Sequence, residues 1–166
     1  MKTVQIKNDI YWVGVNDHET YLFEGMWPID QDGVAYNAYI INDDKVAVVD
    51  TVKSFKQGEY IEKIKSIIGD KKVDYLIVNH MEPDHSSSIA DLLAVYPDMQ
   101  IIGNKKTFPI MKNFYNIDKN ILEVADGDTL DLGHHELQFY MTPMVHWPES
   151  MVTYDATDKV LFSMDV

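Results

Sequence analysis

Cysteine is absent from the 166 residues. That absence removes disulfides, thiol nucleophiles, thiolate zinc sites and iron–sulfur clusters together, so any metal must be held by His, Asp and Glu. Basic residues are scarce as well: 14 Lys and Arg stand against 27 Asp and Glu, a formal net charge of −13. Such a surface repels phosphate backbones and anionic lipid. No stretch approaches the ~18 apolar residues of a membrane span. The N-terminal run from Met1 to Asp9 lacks the apolar segment of a secretory signal. The expectation is a cytoplasmic protein with neither nucleic acid nor membrane among its partners. Repeats, low-complexity tracts and Pro/Gly/Ser-rich linkers are also missing, so no domain boundary is expected. What is present suffices for one core, with 46% apolar and 25% charged residues in a chain of single-domain length.

Short β-branched and aromatic runs come first: Val4 to Lys7, Ile10 to Val15, Ala38 to Ile41 and Val46 to Asp50, with a turn over Asn42 to Lys45. Ile61, Ile64, Ile67 and Ile68 then recur at helical spacing before Gly69, which predicts an amphipathic helix. Val73 to Val78 reads as a buried strand. Ser86 to Ser88 reads as the cap of a helix that Pro97 ends. A strand over Met99 to Gly103 and a helix over Lys105 to Tyr115, kinked or started at Pro109, follow. The remaining strands are expected at Ile121 to Val124, Thr129 to Leu132, Glu136 to Thr142, Met151 to Tyr154 and Val160 to Ser163. Strands at both ends with βα units between them predict an α/β fold, with sheets covered by helices on their outer faces.

The chemistry concentrates in Asn79-His80-Met81-Glu82-Pro83-Asp84-His85-Ser86, directly after the buried strand. In an extended segment alternate side chains share a side, so His80, Glu82 and Asp84 can converge while Pro83 stiffens the loop. Read singly, each is more often a surface residue, with His80 or His85 capping a helix or pairing with a carboxylate. Together, four metal-capable side chains in six residues exceed what a solvated loop carries.

This segment resembles the signature of the metallo-β-lactamase superfamily, H-x-H-x-D-H after a core strand, with Glu82 in place of the second His. The H-x-E-x-D-H variant, followed by a loop His and a late Asp, is similar to that of the flavodiiron proteins. Here His146 stands in Met144-Val145-His146-Trp147-Pro148-Glu149-Ser150-Met151, and Asp165 in Phe162-Ser163-Met164-Asp165. Gly33 to Ile41, Val48 to Val52 and Asp126-Gly127-Asp128 also resemble scaffold segments of that family.

The resemblance implies a metallo-β-lactamase-like αββα sandwich over residues 1–166, incomplete at its C-terminal side. It also implies a non-haem diiron site. By similarity His80, Glu82 and His146 bind one iron, Asp84 binds the other and Asp165 bridges them. His85 falls on a position whose coordination varies in the family, and a further late His would come from beyond this chain. By the same resemblance His80, Glu82, Asp84, His146 and Asp165 are the catalytic set. Independently, the three carboxylates Glu82, Asp84 and Asp165 suit a hard metal that cycles between two oxidation states.

The implied activity is reduction of dioxygen to water or of nitric oxide to nitrous oxide. Electrons would arrive through FMN on a flavodoxin-like domain outside this chain, from a donor such as rubredoxin or a flavin reductase. A head-to-tail homodimer is implied too, and the chain is expected to be the N-terminal portion of a longer protein. Two alternatives stay open: a flavin-free diiron oxygen-binding sensor, and a zinc hydrolase of the lactamase superfamily, against which Glu82 counts. Trp147 with Met141, Met144, Met151 and Met164 reads either as the wall of a dry pocket for an apolar gas or as core. Asp50 reads as a residue that orients a ligand His or as a turn cap. His18, His134 and His135 match no motif position and read as surface or structural residues.

Overall fold

The structure, a computed structural model, describes residues 3–165, so both ends of the expected 1–166 domain fall just outside it. In chain order it runs through β1 (Val4–Lys7), β2 (Ile10–Trp12), β3 (Val15–Asp17), β4 (Leu22–Phe23), β5 (Trp27–Pro28), β6 (Val34–Tyr36), β7 (Tyr39–Asn42) and β8 (Val46–Val49). A single 3-10 turn (Ser54–Lys56) leads into α1 (Gln57–Ile68), β9 (Tyr75–Ile77), α2 (Pro83–Ser86), α3 (Ile89–Val95), β10 (Gln100–Gly103) and α4 (Thr107–Tyr115). The chain closes with β11 (Ile121–Glu123), β12 (Thr129–Asp131), β13 (Glu136–Met141), β14 (Met151–Asp155) and β15 (Val160–Phe162).

Seven strands form one sheet in the order β1-β2-β7-β8-β9-β10-β11, and β12 to β15 form a second, sequential sheet. Neighbours from β1 to β8 pair antiparallel, and β8, β9, β10 and β11 pair parallel. All four residues of β8 are buried, as an apolar strand covered on both faces requires. One face packs against Tyr60, Ile61, Ile64 and Ile68 of α1, Ile89 and Leu92 of α3, and Phe108 and Met111 of α4. The other meets Leu137, Phe139, Met151 and Phe162 of the second sheet. The order is therefore helices, large sheet, small sheet. Among the described residues every apolar helix residue in a core cluster lies on the large sheet's side, and the expected outer helix layer on the small sheet is not seen. No described helix is long and apolar enough to cross a membrane.

Three local expectations change. The serines do not cap α3: Ser88, at its N-terminal boundary, donates its hydroxyl to Val52 O at 2.7 Å, tying the helix to the loop after β8. Pro109 neither starts nor kinks α4, because it lies in the helix's first turn, where no intrahelical N–H is required. The expected strand Ile10 to Val15 is broken after Trp12: β2 stays in the large sheet, and β3 pairs with β6 in a separate ribbon, as β4 does with β5, strands of two or three residues too short for periodicity to register. Glu24 and Gly25, with φ +49° and +71°, turn the β4–β5 hairpin, and Gly25 adopts that conformation at no steric cost.

Candidate metal centre

The parallel strands β8 and β9 end side by side, and the loops beyond their carboxyl ends build the site. Asp50, immediately after β8, donates its backbone N–H to Ile77 O at 2.8 Å and accepts the Asn79 N–H on Oδ1 at 2.8 Å. Asn79 also reaches the second sheet: its Oδ1 accepts the Thr153 hydroxyl at 2.7 Å, and its carbonyl accepts the Met151 N–H at 3.0 Å. Residues 79–81 are thus clamped between the two sheets.

The chain does not stay extended through the motif. Pro83 opens the short helix α2, which carries Asp84 and His85, so simple alternation holds only for His80 and Glu82. Thr51 secures this turn by donating both its N–H, at 2.7 Å, and its hydroxyl, at 2.9 Å, to the His85 carbonyl.

All six motif side chains nevertheless converge. His80 Nε2 and His146 Nε2 each lie 3.2 Å from Glu82 Oε2, and Asp165 Oδ2 lies 3.3 Å from His146 Nε2 and 3.9 Å from His80 Nε2. On its other side Asp165 Oδ1 lies 2.7 Å from His85 Nε2, which is 3.6 Å from Asp84 Oδ2. Two donor groups result, His80/Glu82/His146/Asp165 and Asp84/His85/Asp165, and Asp165 belongs to both through different oxygens. His80 and His85 are buried, whereas His146 keeps half its side chain exposed.

Charge accounts for the proton affinities. Burial opposes protonation of His85, yet its hydrogen bond to Asp165 and the charges of Asp50, Asp84 and Asp165 outweigh it and lift its pKa to about 9. Burial pushes Asp165 up, but its bond with His85 and the histidine charges bring it down to about 2. Burial and the nearby Asp165 and Glu82 carboxylates raise Asp84. Asp50 is raised to about 6 by burial, against the His85 charge and the Asn79 N–H. Asp50 thus acts on the centre in two ways, by holding the Asn79 backbone beside His80 and by placing its charge near His85.

Two neighbours, Glu149 and Glu24, carry no sequence signal of their own. Glu149, three positions after His146, accepts from His80 Nδ1 and from the Met81 N–H on the same oxygen, both at 2.9 Å. Glu24, at the β4–β5 turn, brings its carboxylate within 4.8 Å of Glu82 and Asp84 and ion-pairs with Lys53. Trp147 stands edge-on to His80 with ring centroids 5.1 Å apart, so it does wall the site. Met151 is core and Met144 is exposed. His135 is buried against Asp155 at 2.9 Å, and exposed His134 bonds Asp43 at 3.0 Å, both away from the two donor groups that share Asp165.

The donor set fits metal ions on this geometry. Three imidazole nitrogens and three carboxylates face one another at spacings near the ~3 Å between adjacent ligands of an ion bound at ~2.1 Å. Asp84 Oδ1 and His85 Nδ1 are buried without a hydrogen-bond partner, a costly state in a protein that otherwise satisfies its interior.

The family described as ODP family beta lactamase matches residues 34–166. The chain belongs to that family. Relatives of this ODP-family chain include the nitric oxide reductase of Moorella thermoacetica, 39% identical over 163 residues, which cover 98% of this chain and 41% of that protein. Among solved structures, the flavodiiron protein of Giardia intestinalis superposes with a TM-score of 0.91 at 34% identity, covering 98% of this chain and 40% of that one. The rubredoxin oxygen:oxidoreductase of Desulfovibrio gigas gives 0.90 at 34% identity, with 96% and 40% covered. The chain spans between about a third and two fifths of the length of the curated relatives it matches. The metallo-β-lactamase-like fold and the flavodiiron resemblance read from the motif are both borne out.

Proposed function

We propose that residues 1–166 form the metal-binding domain of a non-haem diiron oxidoreductase that reduces dioxygen to water, nitric oxide to nitrous oxide, or both. The observation that carries this reading is Asp165, whose two oxygens face two separate donor groups, Oδ2 toward His146 and Oδ1 toward His85. The relatives named nitric oxide reductase and rubredoxin oxygen:oxidoreductase support it.

In this reading His80, Glu82 and His146 would hold one iron, Asp84 with His85 beside it would hold the other, and Asp165 would be shared by the two groups. A pair of ferrous ions held there would supply two electrons, enough to couple two NO with two protons into N2O and water, whereas O2 needs four electrons and four protons to give two waters. The chain's own residues prepare that chemistry. His80 and His85 are held inside the protein, so their Nε2 atoms are fixed before a ligand arrives. Trp147 packs edge-on against the His80 ring and gives the site an apolar wall on that side. Half-exposed His146 marks the open side, by which a small neutral gas enters. Further electrons would have to come through FMN on a flavodoxin-like domain, supplied by a rubredoxin-type donor or a flavin reductase, and a head-to-tail homo-oligomer would bring that flavin to the irons.

Metal analysis of anaerobically purified full-length protein, with flavin absorbance on the same sample, tests the reading. Iron near two per chain together with FMN is expected. Iron without flavin turns the reading to an oxygen-binding sensor, and zinc that persists after iron supplementation turns it to a hydrolase.

A further inference from the structure

We infer that Glu149 is the positioning residue of this centre: from the loop that carries His146 it fixes the ring of His80, so that one buried side chain sets two ligand-bearing segments against each other. The inference rests on reading the cluster as a metal centre.

The hydrogen bonds dictate the role. The Met81 N–H has no choice but to donate, so Glu149 Oε1, 2.9 Å away, is an acceptor there. The same oxygen lies 2.9 Å from His80 Nδ1, so Nδ1 carries the proton in this contact. The opposite ring nitrogen, Nε2, is then the one directed at Glu82 and Asp165. Only with the proton kept on Nδ1 can Nε2 offer its lone pair to a cation. Glu149 itself is no ligand, because the His80 ring stands between its carboxylate and the other donors.

The carboxylate cannot drift to a better partner. The Glu149 carbonyl accepts from Asn104 Nδ2 at 2.6 Å, and the Trp147 N–H donates to Ser150 Oγ at 3.1 Å. Two residues on, the Met151 N–H donates to Asn79 O at 3.0 Å. Loop 146–151 is therefore docked on residues 79–81 from both its backbone and the Glu149 side chain. Glu149 is 1% exposed and its second oxygen, Oε2, is buried without a partner. Burying a carboxylate and leaving half of it unpaired is expensive, and the return is an acceptor at a fixed point behind His80.

The test uses full-length protein stripped of metal and reloaded anaerobically with Co(II), whose visible spectrum reports coordination and whose affinity is read by chelator competition. Wild type is compared with Glu149→Gln, Glu149→Leu and Glu149→Asp, with thermal unfolding of each apo form to confirm folding. Glu149→Leu is expected to lose ~10- to 100-fold in affinity and to change the spectrum, the scale typical of removing a partner that orients a ligand His. Glu149→Gln keeps an acceptor oxygen and is expected to restore the wild-type spectrum with a smaller loss. Glu149→Asp keeps the charge and draws the carboxylate back by one methylene, and it is expected to alter the spectrum even if the Leu variant fails to fold. A folded Leu or Asp variant with wild-type spectrum and affinity overturns the inference, as does a Gln variant no better than Leu. His80→Ala distinguishes the two levels of argument: if it binds Co(II) as wild type does, or if wild type binds none, the metal-centre reading fails and the inference with it.

Discussion

Asn79 and Thr153 join the two sheets directly beneath the donor cluster, the threonine hydroxyl donating to Asn79 Oδ1 at 2.7 Å with both side chains fully buried. Replacing Asn79 with Ala strands that hydroxyl in the interior. The expected cost is about 2 kcal/mol of stability, measured by urea unfolding of the apo protein, together with weaker metal retention. Unchanged stability would mean that the sheets are held at this level by apolar packing alone.

His146 belongs to one donor group and Asp165 to both. His146→Ala is therefore expected to release mainly one ion, and Asp165→Ala to release both, as read by elemental analysis after gel filtration. Full iron occupancy in both variants would remove them from the ligand set.

Asp17 gives the stability of the fold an acid limb. Burial tends to raise its carboxyl, but bonds from the Thr20 hydroxyl and N–H, the Glu19 N–H and the Tyr36 hydroxyl bring its pKa to about 2, against an ordinary 3.8. A depressed carboxyl pKa contributes stability that is fully present above the unfolded value and lost as pH falls through the folded one. The contribution, roughly 2 kcal/mol near neutrality, should fade between about pH 4 and pH 2. Asp17→Asn is expected to flatten that limb in a series of denaturant titrations, and an unaltered slope would contradict the assignment.

Gly14 lies where β2 leads into β3, and a Cβ there would come 2.2 Å from the Tyr36 carbonyl oxygen and 2.7 Å from the Trp12 ring. The carbonyl is backbone and cannot swing aside. Gly14→Ala should cost on the order of 3 kcal/mol and lower the thermal midpoint, whereas Gly58→Ala, with open space around it, should not.

Much of this architecture was legible in the residues. The isoleucines of α1 and the apolar run of β9 announced themselves because their burial is one-sided or complete, and periodicity reports burial. The ribbons β3–β6 and β4–β5 were hidden, since two or three residues cannot show a period. The motif histidines and carboxylates were found through their order and spacing. Glu149 and Glu24 were not, because their roles come from contacts across the fold rather than from neighbours in the chain. The serines before α3 misled for a related reason: the hydroxyl of Ser88 prefers Val52 O on another segment to the helix's own N–H groups.

The donor groups and the side chain that supports them are assembled from distant parts of the chain: His85 and Asp165 are 80 positions apart, and His80 and its partner Glu149 are 69 apart. Closing loops of that length is entropically costly, and the long-range strand pairings must bear it first. Metal ions are therefore not expected to nucleate this fold as they do in zinc fingers. They are expected to meet a pocket already built, with uptake during refolding that follows the docking of the two sheets, and a chelator should empty the protein without unravelling it.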